Sequence, residues 1–285
     1  MPPTVPRAHR RAARLLALPL AVVPATDTIP FRLLPAAQAD PSACTVNGSK
    51  VTGQVITGTA GDDTITCPGG VPQNTTINAL AGNDTITAHG APGNHGTVNG
   101  GDGADTIKAT GGEGGSHDGG YGNAGTITGG SDNDIITLTG GKGGSAGGSS
   151  RGGPANVNRV EGGPGADQIT AIGGDAATGR TDPLHSGYGG DGNWSRGRLL
   201  GGDGADTIKA TGGNSTTSRG GSGNANGAKI HGGNGNDSIT AARGTGTQSG
   251  LSNDAHSEVD GGEGVDTCTF VPKDPPKVYN CEKKR

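Results

Sequence analysis

Apolar residues recur along the chain in pairs that are nine positions apart. The eight pairs are Ile56/Ile65, Ile77/Ile86, Val98/Ile107, Ile127/Ile136, Val160/Ile169, Leu199/Ile208, Ile230/Ile239 and Val259/Cys268. Two positions after each pair comes another small or apolar residue, namely Cys67, Ala88, Ala109, Leu138, Ala171, Ala210, Ala241 or Phe270. The residue in between is Thr or Lys, and alternation with a period of two is typical of a β-strand. Each unit therefore predicts two short strands.

A segment rich in glycine and aspartate separates the two predicted strands of each unit. Residues 100–112 and 201–213 both read GGDGADTIKATGG, and the shared pattern is G-G-x-G-x-D-x-I-x. Its sixth position is Asp in all eight copies, and its fourth is Gly in seven, with Asp132 as the exception. Such repetition predicts an all-β fold, a parallel β-roll or β-solenoid of about eight coils over residues 40–270, with one Gly/Asp turn per coil.

The segments that connect the repeats vary in length. Successive turn aspartates are separated by as few as 21 residues (Asp63 to Asp84) and as many as 39 (Asp167 to Asp206). The extra residues fall in stretches rich in Gly, Ser and Asn, such as 110–125, 139–156 and 211–227. Closing a longer surface loop costs little additional entropy. These segments are predicted to be mobile loops without regular structure at the corner opposite the Gly/Asp turns.

Composition supports a thin solenoid rather than a globular enzyme. The 285 residues include 60 Gly and 17 Pro, and only 29% are hydrophobic and 2% aromatic, against roughly 45–50% apolar residues in ordinary domains. Glycine does not recur at every third position, which excludes collagen. A disordered low-complexity chain would have the same composition, but it would have no reason to preserve the strand and turn spacing.

The first 39 residues are typical of a secretory signal peptide. A basic region (Arg7 to Arg14) precedes the apolar run 15–25, and Ala37-Gln38-Ala39 matches an A-x-A cleavage site. Cleavage after Ala25 and a disordered basic arm are the alternatives. The apolar run has about 11 residues, too few for the ~20 of a membrane span. The predicted mature protein is secreted and extracellular.

The net charge limits the classes of binding partner. The chain has a formal net charge of −4 at pH 7, and removal of 1–39 would make it more acidic. An acidic protein disfavours nucleic acid and favours cations as partners.

The four cysteines allow three disulfide connectivities, and Cys44–Cys67 with Cys268–Cys281 would close a short loop near each end. Residues 271–285 are predicted to be a C-terminal cap or tail, and the chain is expected to be a monomer.

The repeated aspartates have an electrostatic consequence. Coils that stack about 4.8 Å apart would place like charges in a column. At an effective dielectric constant of ~20, neighbouring carboxylates would repel by roughly 3.5 kcal/mol. Glycines at positions 1, 2 and 4 let the backbone bring carbonyl oxygens together, and carbonyl and carboxylate oxygens suit Ca²⁺. A cation between turns would convert repulsion into attraction. The plainer alternative is that Asp only stabilises the turn.

The nonapeptide resembles the repeats-in-toxin, or hemolysin-type, calcium-binding repeat family, whose members form a parallel β-roll. The resemblance covers about residues 56–270 and implies Ca²⁺ held between adjacent coils. The carboxylate ligands that it implies are Asp63, Asp84, Asp105, Asp134, Asp167, Asp206, Asp237 and Asp266. The turn glycines that it implies are Gly100, Gly101, Gly103, Gly162, Gly163, Gly165, Gly201, Gly202, Gly204, Gly232, Gly233, Gly235, Gly261, Gly262 and Gly264.

The copies do not match the family pattern equally well. Only one corner of each coil carries the motif, which predicts a single row of at most seven sites between turns. Copies one and two have Thr59 and Leu80 at the second position, and copy four has Asp132 at the fourth. We therefore expect weaker sites at Asp63, Asp84 and Asp134 than at Asp167, Asp206 and Asp237.

The predicted function is a secreted calcium-ion-binding repeat protein that serves as a structural or surface-interaction module and requires Ca²⁺ to fold. Alternatives are a polysaccharide-active enzyme and a glycan-binding protein on a parallel β-helix, with a cell-surface glycan or protein as partner. Histidines are scattered without a common register, so no catalytic site is predicted. An aromatic platform in the loops would involve Tyr121, Tyr188 and Trp194.

Overall fold

The computed structural model describes residues 43–115, 117–144, 150–177, 187–272 and 277–285. All of these residues belong to one compact unit, Asp40–Arg285. The predicted signal peptide, residues 1–39, lies outside the described residues.

The described part of the chain contains β-strands and no helix. The strands are β1 (Cys44–Val46), β2 (Ser49–Val51), β3 (Val55–Thr57), β4 (Thr64–Cys67), β5 (Thr76–Ala81), β6 (Thr85–Gly90), β7 (Thr97–Asp102), β8 (Thr106–Gly111), β9 (Thr126–Ser131), β10 (Ile135–Thr139), β11 (Arg159–Pro164), β12 (Gln168–Ile172), β13 (Asn193–Trp194), β14 (Arg198–Asp203), β15 (Thr207–Thr211), β16 (Asn224–Ala225), β17 (Lys229–Asn234), β18 (Ser238–Ala242), β19 (Glu258–Glu263), β20 (Thr267–Val271), β21 (Val278–Tyr279) and β22 (Lys283–Lys284).

Apart from β13 and β16, which pair with each other, these strands form two long sheets whose neighbouring strands come mostly from successive repeats. One sheet has the order β2-β1-β4-β6-β8-β10-β12-β15-β18-β20-β22, and the other has the order β21-β19-β17-β14-β11-β9-β7-β5-β3. Pairing is parallel from β4 and β3 onward, and equivalent residues are in register: Ile136 lies between Ile107 and Ile169. The prediction of an all-β fold with stacked parallel strands is confirmed, and the arrangement is compatible with a β-solenoid.

The core lies between the two long sheets and is made of the predicted apolar positions. Both members of every nine-residue pair are at most 2% exposed, and the third apolar position is at most 4% exposed. Thr and Lys between them face outward or are half-buried, as at Lys108 and Lys209. Strand alternation therefore places only one or two side chains per strand in the interior. A chain with 29% hydrophobic residues can therefore still fill this core.

A disulfide closes each end of the stack. Cys44 joins Cys67 and Cys268 joins Cys281, with Cα atoms 4.2 and 5.8 Å apart, which selects one of the three connectivities that the sequence left open. At the N-terminal end, the β1–β2 hairpin pairs antiparallel with β4. At the C-terminal end, β21 and β22 add a last strand to each sheet.

The Gly-rich connections are more ordered than the sequence predicted. Glycine N–H groups donate to glycine carbonyls in one continuous series across the coils, at 2.5–2.9 Å. The series runs Gly90, Gly112, Gly120, Gly141, Gly153, Gly174, Gly190, Gly213, Gly221 and Gly244. From Gly112 onward in this series, a glycine that follows a strand of the first sheet alternates with a glycine that precedes a strand of the second sheet. Most of the described residues in these segments belong to no helix or strand, as predicted, yet they are hydrogen-bonded across the coils, because without Cβ atoms their backbones approach closely enough.

A buried asparagine ladder, which was not predicted from the sequence, runs along six of the coils, just before the strands of the second sheet. The members, all at most 1% exposed, are Asn94, Asn123, Asn156, Asn193, Asn224 and Asn253. Each Nδ2 donates to Oδ1 of the next member at 2.8–2.9 Å. The available signal was an Asn that stands four or six positions before the first aliphatic residue in these repeats.

Candidate functional site

The turn aspartates form a buried aspartate column. The column consists of Asp63, Asp84, Asp105, Asp134, Asp167, Asp206, Asp237 and Asp266, each at most 2% exposed. Each residue lies between the two strands of its repeat, and parallel register stacks it on its equivalents. The structure thus brings together all eight residues that the sequence singled out.

One oxygen of each carboxylate supports the preceding coil. Oδ1 of Asp84 accepts the backbone N–H of Asp63 at 2.7 Å, and the same bond recurs at 2.8 Å along the column up to Asp266. Glu282 Oε2 ends the series by accepting the N–H of Asp266 at 2.7 Å. Because an N–H dipole points at each carboxylate, part of the repulsion expected between neighbouring charges is offset.

The second oxygen has no partner in the described structure. Buried, unpaired Oδ2 atoms occur at Asp84, Asp105, Asp134, Asp167, Asp206, Asp237 and Asp266. From Gly100 onward, a Cβ added to the first glycine of a turn would overlap Oδ2 of that turn's aspartate, and through the copy at Gly232 it would also overlap the carbonyl of the next coil's first glycine. Burying a carboxylate oxygen without a hydrogen-bond partner costs folding free energy. The same unpaired oxygen recurs in seven coils.

Asp63 differs from the other members of the column. Its Oδ1 accepts from Asn47 Nδ2, and its Oδ2 accepts from the backbone N–H of Thr59. The hydrogen bond from the Thr59 backbone holds the pKa of Asp63 below its usual value, against the opposing effect of burial. The first carboxylate is therefore satisfied by protein donors and has the least need of a cation.

Burial raises the pKa of the interior aspartates. The pKa rises to about 6 for Asp105 and to about 7 for Asp134 and Asp206, because burial penalises the charged form and the backbone N–H bond only partly compensates. The pKa is also raised by burial at Asp84, Asp167 and Asp237. A cation that binds the column must displace the protons held by these carboxylates, so its affinity would increase with pH, and its charge would offset the cost of burying the ionised groups.

Glycine in the turn has a packing role in addition to the one that the family pattern implies. Gly101 and Gly103 have φ of 125° and 116°, where a side chain would be strained. A Cβ on Gly101 would overlap the carbonyl of Leu80 in the preceding coil. Leu80 itself (φ 87°) and Asp132 (φ 74°) adopt the left-handed conformation without being glycine. The carbonyls at position 3 accept N–H groups of the preceding turn, as Asp203 does from Gly165 at 2.7 Å.

The donor chemistry of the column fits a hard cation. Unpaired Oδ2 atoms and first-glycine carbonyls are oxygen ligands, and no sulfur or imidazole group lies in the column. Among the described residues, no three carboxylate, imidazole or thiolate groups converge into a site of their own. A cation here would therefore be held by aspartate oxygens of successive coils together with main-chain or water oxygens, rather than by a single cluster of acids.

A second feature, the loop groove, lies on the Gly-rich side of the coils. It has a volume of about 670 Å³, and we define it by Tyr121, Arg151, Tyr188, Asp191, Trp194 and Arg219. The three aromatic residues that the sequence placed in separate loops are thus brought into one depression.

The residues of the loop groove are arranged both along one coil and across successive coils. Along one coil, Tyr188, Asp191 and Trp194 follow each other at intervals of three residues. Across the coils, main-chain hydrogen bonds place Arg151, Tyr188 and Arg219 in successive coils of one column. The guanidinium of Arg151 lies 5.1 Å from the ring centroid of Tyr188. Asp191 Oδ1 accepts the N–H of Ser222 at 2.6 Å, and burial raises the pKa of Asp191 to about 6.

No family model, curated protein or solved structure matches the chain. Within the described ranges, no helix is long and apolar enough to cross a membrane. The chemistry of the aspartate column and of the loop groove is therefore the basis for a function.

Proposed function

We propose that this chain is an extracellular calcium-ion-binding protein, an eight-coil β-roll in which Ca²⁺ ions join successive Gly/Asp turns. The observation that carries the proposal is the run of seven buried aspartate Oδ2 atoms without a partner in the described structure. Each such oxygen lies on the same side of the fold as its equivalents in the neighbouring coils. The two disulfides fit an oxidising, extracellular setting.

Calcium would stabilise the folded protein rather than take part in catalysis. The core is one or two small side chains wide, so the stack gains little hydrophobic stabilisation per coil. A cation that binds only the stacked form adds its binding free energy to folding. We expect the ion to be held by Asp105, Asp134, Asp167, Asp206 and Asp237 and their neighbours in the column, and we expect no catalytic activity. The protein would then serve as a structural or surface-interaction module.

The test is a calcium titration of the protein from which residues 1–39 have been removed, with its disulfides intact. In chelator we expect weak β-structure by circular dichroism, and β-structure should be gained on adding Ca²⁺ in the range of about 10⁻⁴–10⁻³ M typical of extracellular modules. A circular dichroism spectrum that is the same in chelator and in millimolar Ca²⁺ would contradict the proposal.

Two variants of one turn separate binding from general charge effects. Asp206→Asn removes a charge from the column, and Asp203→Asn removes the same charge from an exposed position three residues earlier. Calorimetry should show fewer bound Ca²⁺ ions, or weaker binding, for Asp206→Asn and binding close to the unmodified protein for Asp203→Asn. Equal loss in both variants would mean that calcium responds only to net charge.

A further inference from the structure

The segment between β21 and β22 lies where a further Gly/Asp turn would lie. These two strands pair in parallel with β19 and β20, the strands that flank the last turn of the motif. The register places Asn280 beside Gly261, the first residue of that turn, and Glu282 beside Asp266, its aspartate. We call residues 280–282 the cap turn. It has three residues instead of six and no glycine, so the repeat pattern did not indicate it.

The carbonyl of Asn280 takes the place of a first-glycine carbonyl. A Cβ on Gly232 would overlap Asp237 Oδ2 and the carbonyl of Gly261. In the same way, a Cβ on Gly261 would overlap Asp266 Oδ2 and the carbonyl of Asn280. Asn280 adopts the left-handed conformation, with φ of 44°, which Asn tolerates better than most residues. The combination of a carboxylate oxygen and a main-chain oxygen that recurs along the aspartate column is therefore also present at its C-terminal end.

Glu282 takes the place of a turn aspartate. Its Oε2 accepts the N–H of Asp266 at 2.7 Å, as Oδ1 of Asp266 accepts the N–H of Asp237 at 2.8 Å. Because Glu is one methylene longer than Asp, its carboxylate can reach this N–H from the shorter turn. The disulfide Cys268–Cys281 fixes the residue immediately before Glu282. The bond to the Asp266 N–H uses only one of the two carboxylate oxygens of Glu282.

The charge of Asp266 is not balanced by a basic side chain. Asp266 is 0% exposed, and its Oδ2 has no hydrogen-bond partner in the described structure. Within the described ranges, neither Asp266 nor Glu282 forms an ion pair, although Lys283 and Lys284 follow in the sequence. The Glu282 side chain is exposed, so water can complete the coordination of a hard cation at this end of the column.

From these observations we propose that the cap turn is an additional cation-binding turn, in which Glu282, Asp266 Oδ2 and the carbonyl of Asn280 bind the last Ca²⁺ of the row. The inference rests on the calcium binding proposed above. It adds one site, made by residues outside the repeat motif, to the row of at most seven that the motif predicted. A cation at this position would join the C-terminal strands to the column in addition to their main-chain hydrogen bonds.

The test compares two substitutions of the same kind in the protein from which residues 1–39 have been removed, with its disulfides intact. Glu282→Gln keeps an oxygen that can accept the Asp266 N–H but removes the charge. The control, Glu263→Gln, makes the same change at an exposed position of the preceding turn. Equilibrium dialysis at a calcium concentration that saturates the unmodified protein counts the bound ions. Glu282→Gln should bind one Ca²⁺ fewer per chain, and Glu263→Gln should bind the same number as the unmodified protein.

Hydrogen–deuterium exchange followed by mass spectrometry locates the lost ion. In the same calcium buffer, residues 258–285 of Glu282→Gln should exchange faster than in the unmodified protein, because the last strands are no longer joined through a cation. The coils over residues 76–139 should exchange at an unchanged rate. Faster exchange that is equal in all coils would mean a general loss of stability and would contradict a local site.

The outcomes separate this inference from the proposed function. If Glu282→Gln binds as many ions as the unmodified protein, Glu282 only caps the main chain, and the inference is wrong while the proposed function stands. If both variants lose an ion, calcium responds to net charge, and the inference is again wrong. An unmodified protein that binds no calcium would overturn the proposed function and this inference together.

Discussion

The Oδ1 atom of Asp206 accepts the backbone N–H of Asp167 at 2.8 Å, although the two residues are 39 positions apart in the chain. The bond links equivalent turns of adjacent coils and leaves Oδ2 of Asp206 buried and without a partner in the described structure. One carboxylate thus has two roles: one oxygen holds the stack together, and the other is free to take a proton or a cation.

The members of the column should differ in their contribution to calcium binding. Asp206→Ala removes an unpaired Oδ2, whereas Asp63→Ala removes a carboxylate whose two oxygens already have Asn47 and Thr59 as donors. We expect Asp206→Ala to weaken calcium uptake more, as measured by calorimetry. Equal losses, or the reverse order, would show that the unpaired oxygen is not what binds the ion.

Stability without calcium should depend on pH. Burial raises the pKa of Asp134 and Asp206 to about 7 in the folded protein, against an ordinary value of 3.8. The folded state then holds more protons than the unfolded state between these values, so the free energy of unfolding falls as pH rises from about 4 to 7. In chelator, circular dichroism should therefore show less residual β-structure at pH 7.5 than at pH 5.

Calcium should remove most of that pH dependence, because a bound cation favours the ionised carboxylates. The control is Asp203→Asn, which leaves the buried column intact. If the chelated protein were instead more stable at pH 7.5 than at pH 5, the buried aspartates would have to be ionised and satisfied without a metal.

From Gly100 onward, the first glycine of each turn should be intolerant of a methyl group. A Cβ on Gly201 would overlap Asp206 Oδ2 and the carbonyl of Gly232, and overpacking of this kind costs about 1–3 kcal/mol. Gly61 meets nothing within 4 Å, so Gly61→Ala should change the free energy of unfolding by less than about 0.5 kcal/mol. Urea denaturation of the two variants gives the comparison, and similar midpoints would mean that the turn can relax around the added methyl.

The asparagine ladder should contribute to stability independently of calcium. Asn156→Ala leaves the Nδ2 of Asn123 and the Oδ1 of Asn193 without their buried partner, at a cost of about 1–3 kcal/mol. Asn158→Ala removes an exposed side chain two residues away and should cost less than about 0.5 kcal/mol. Urea denaturation at two saturating calcium concentrations should give the same difference between the variants, and its absence would indicate that water replaces the lost amide.

Local pattern was enough to predict the two strands of each repeat, their core residues and the position of every turn aspartate. Period-two alternation around Ile107 and Ala109 fixes which side chains are buried, and the identical segment at Ile208 and Ala210 repeats it. These features depend on neighbours in sequence. The disulfide pairing and the hydrogen bonds of the Gly-rich segments depend on which coils touch, so the sequence left the pairing open and did not predict the hydrogen bonds.

By itself, the sequence determined a stack of parallel strand pairs with one aspartate per turn, because the spacing of Ile, Gly and Asp is a local property. Only the tertiary structure decided that Asp206 directs one oxygen to Asp167 and leaves the other unpaired, and that Tyr121, Tyr188 and Trp194 share one groove. The physical reason is that these contacts join residues of different coils, and the stacking distance between coils, not the sequence separation, sets which groups meet.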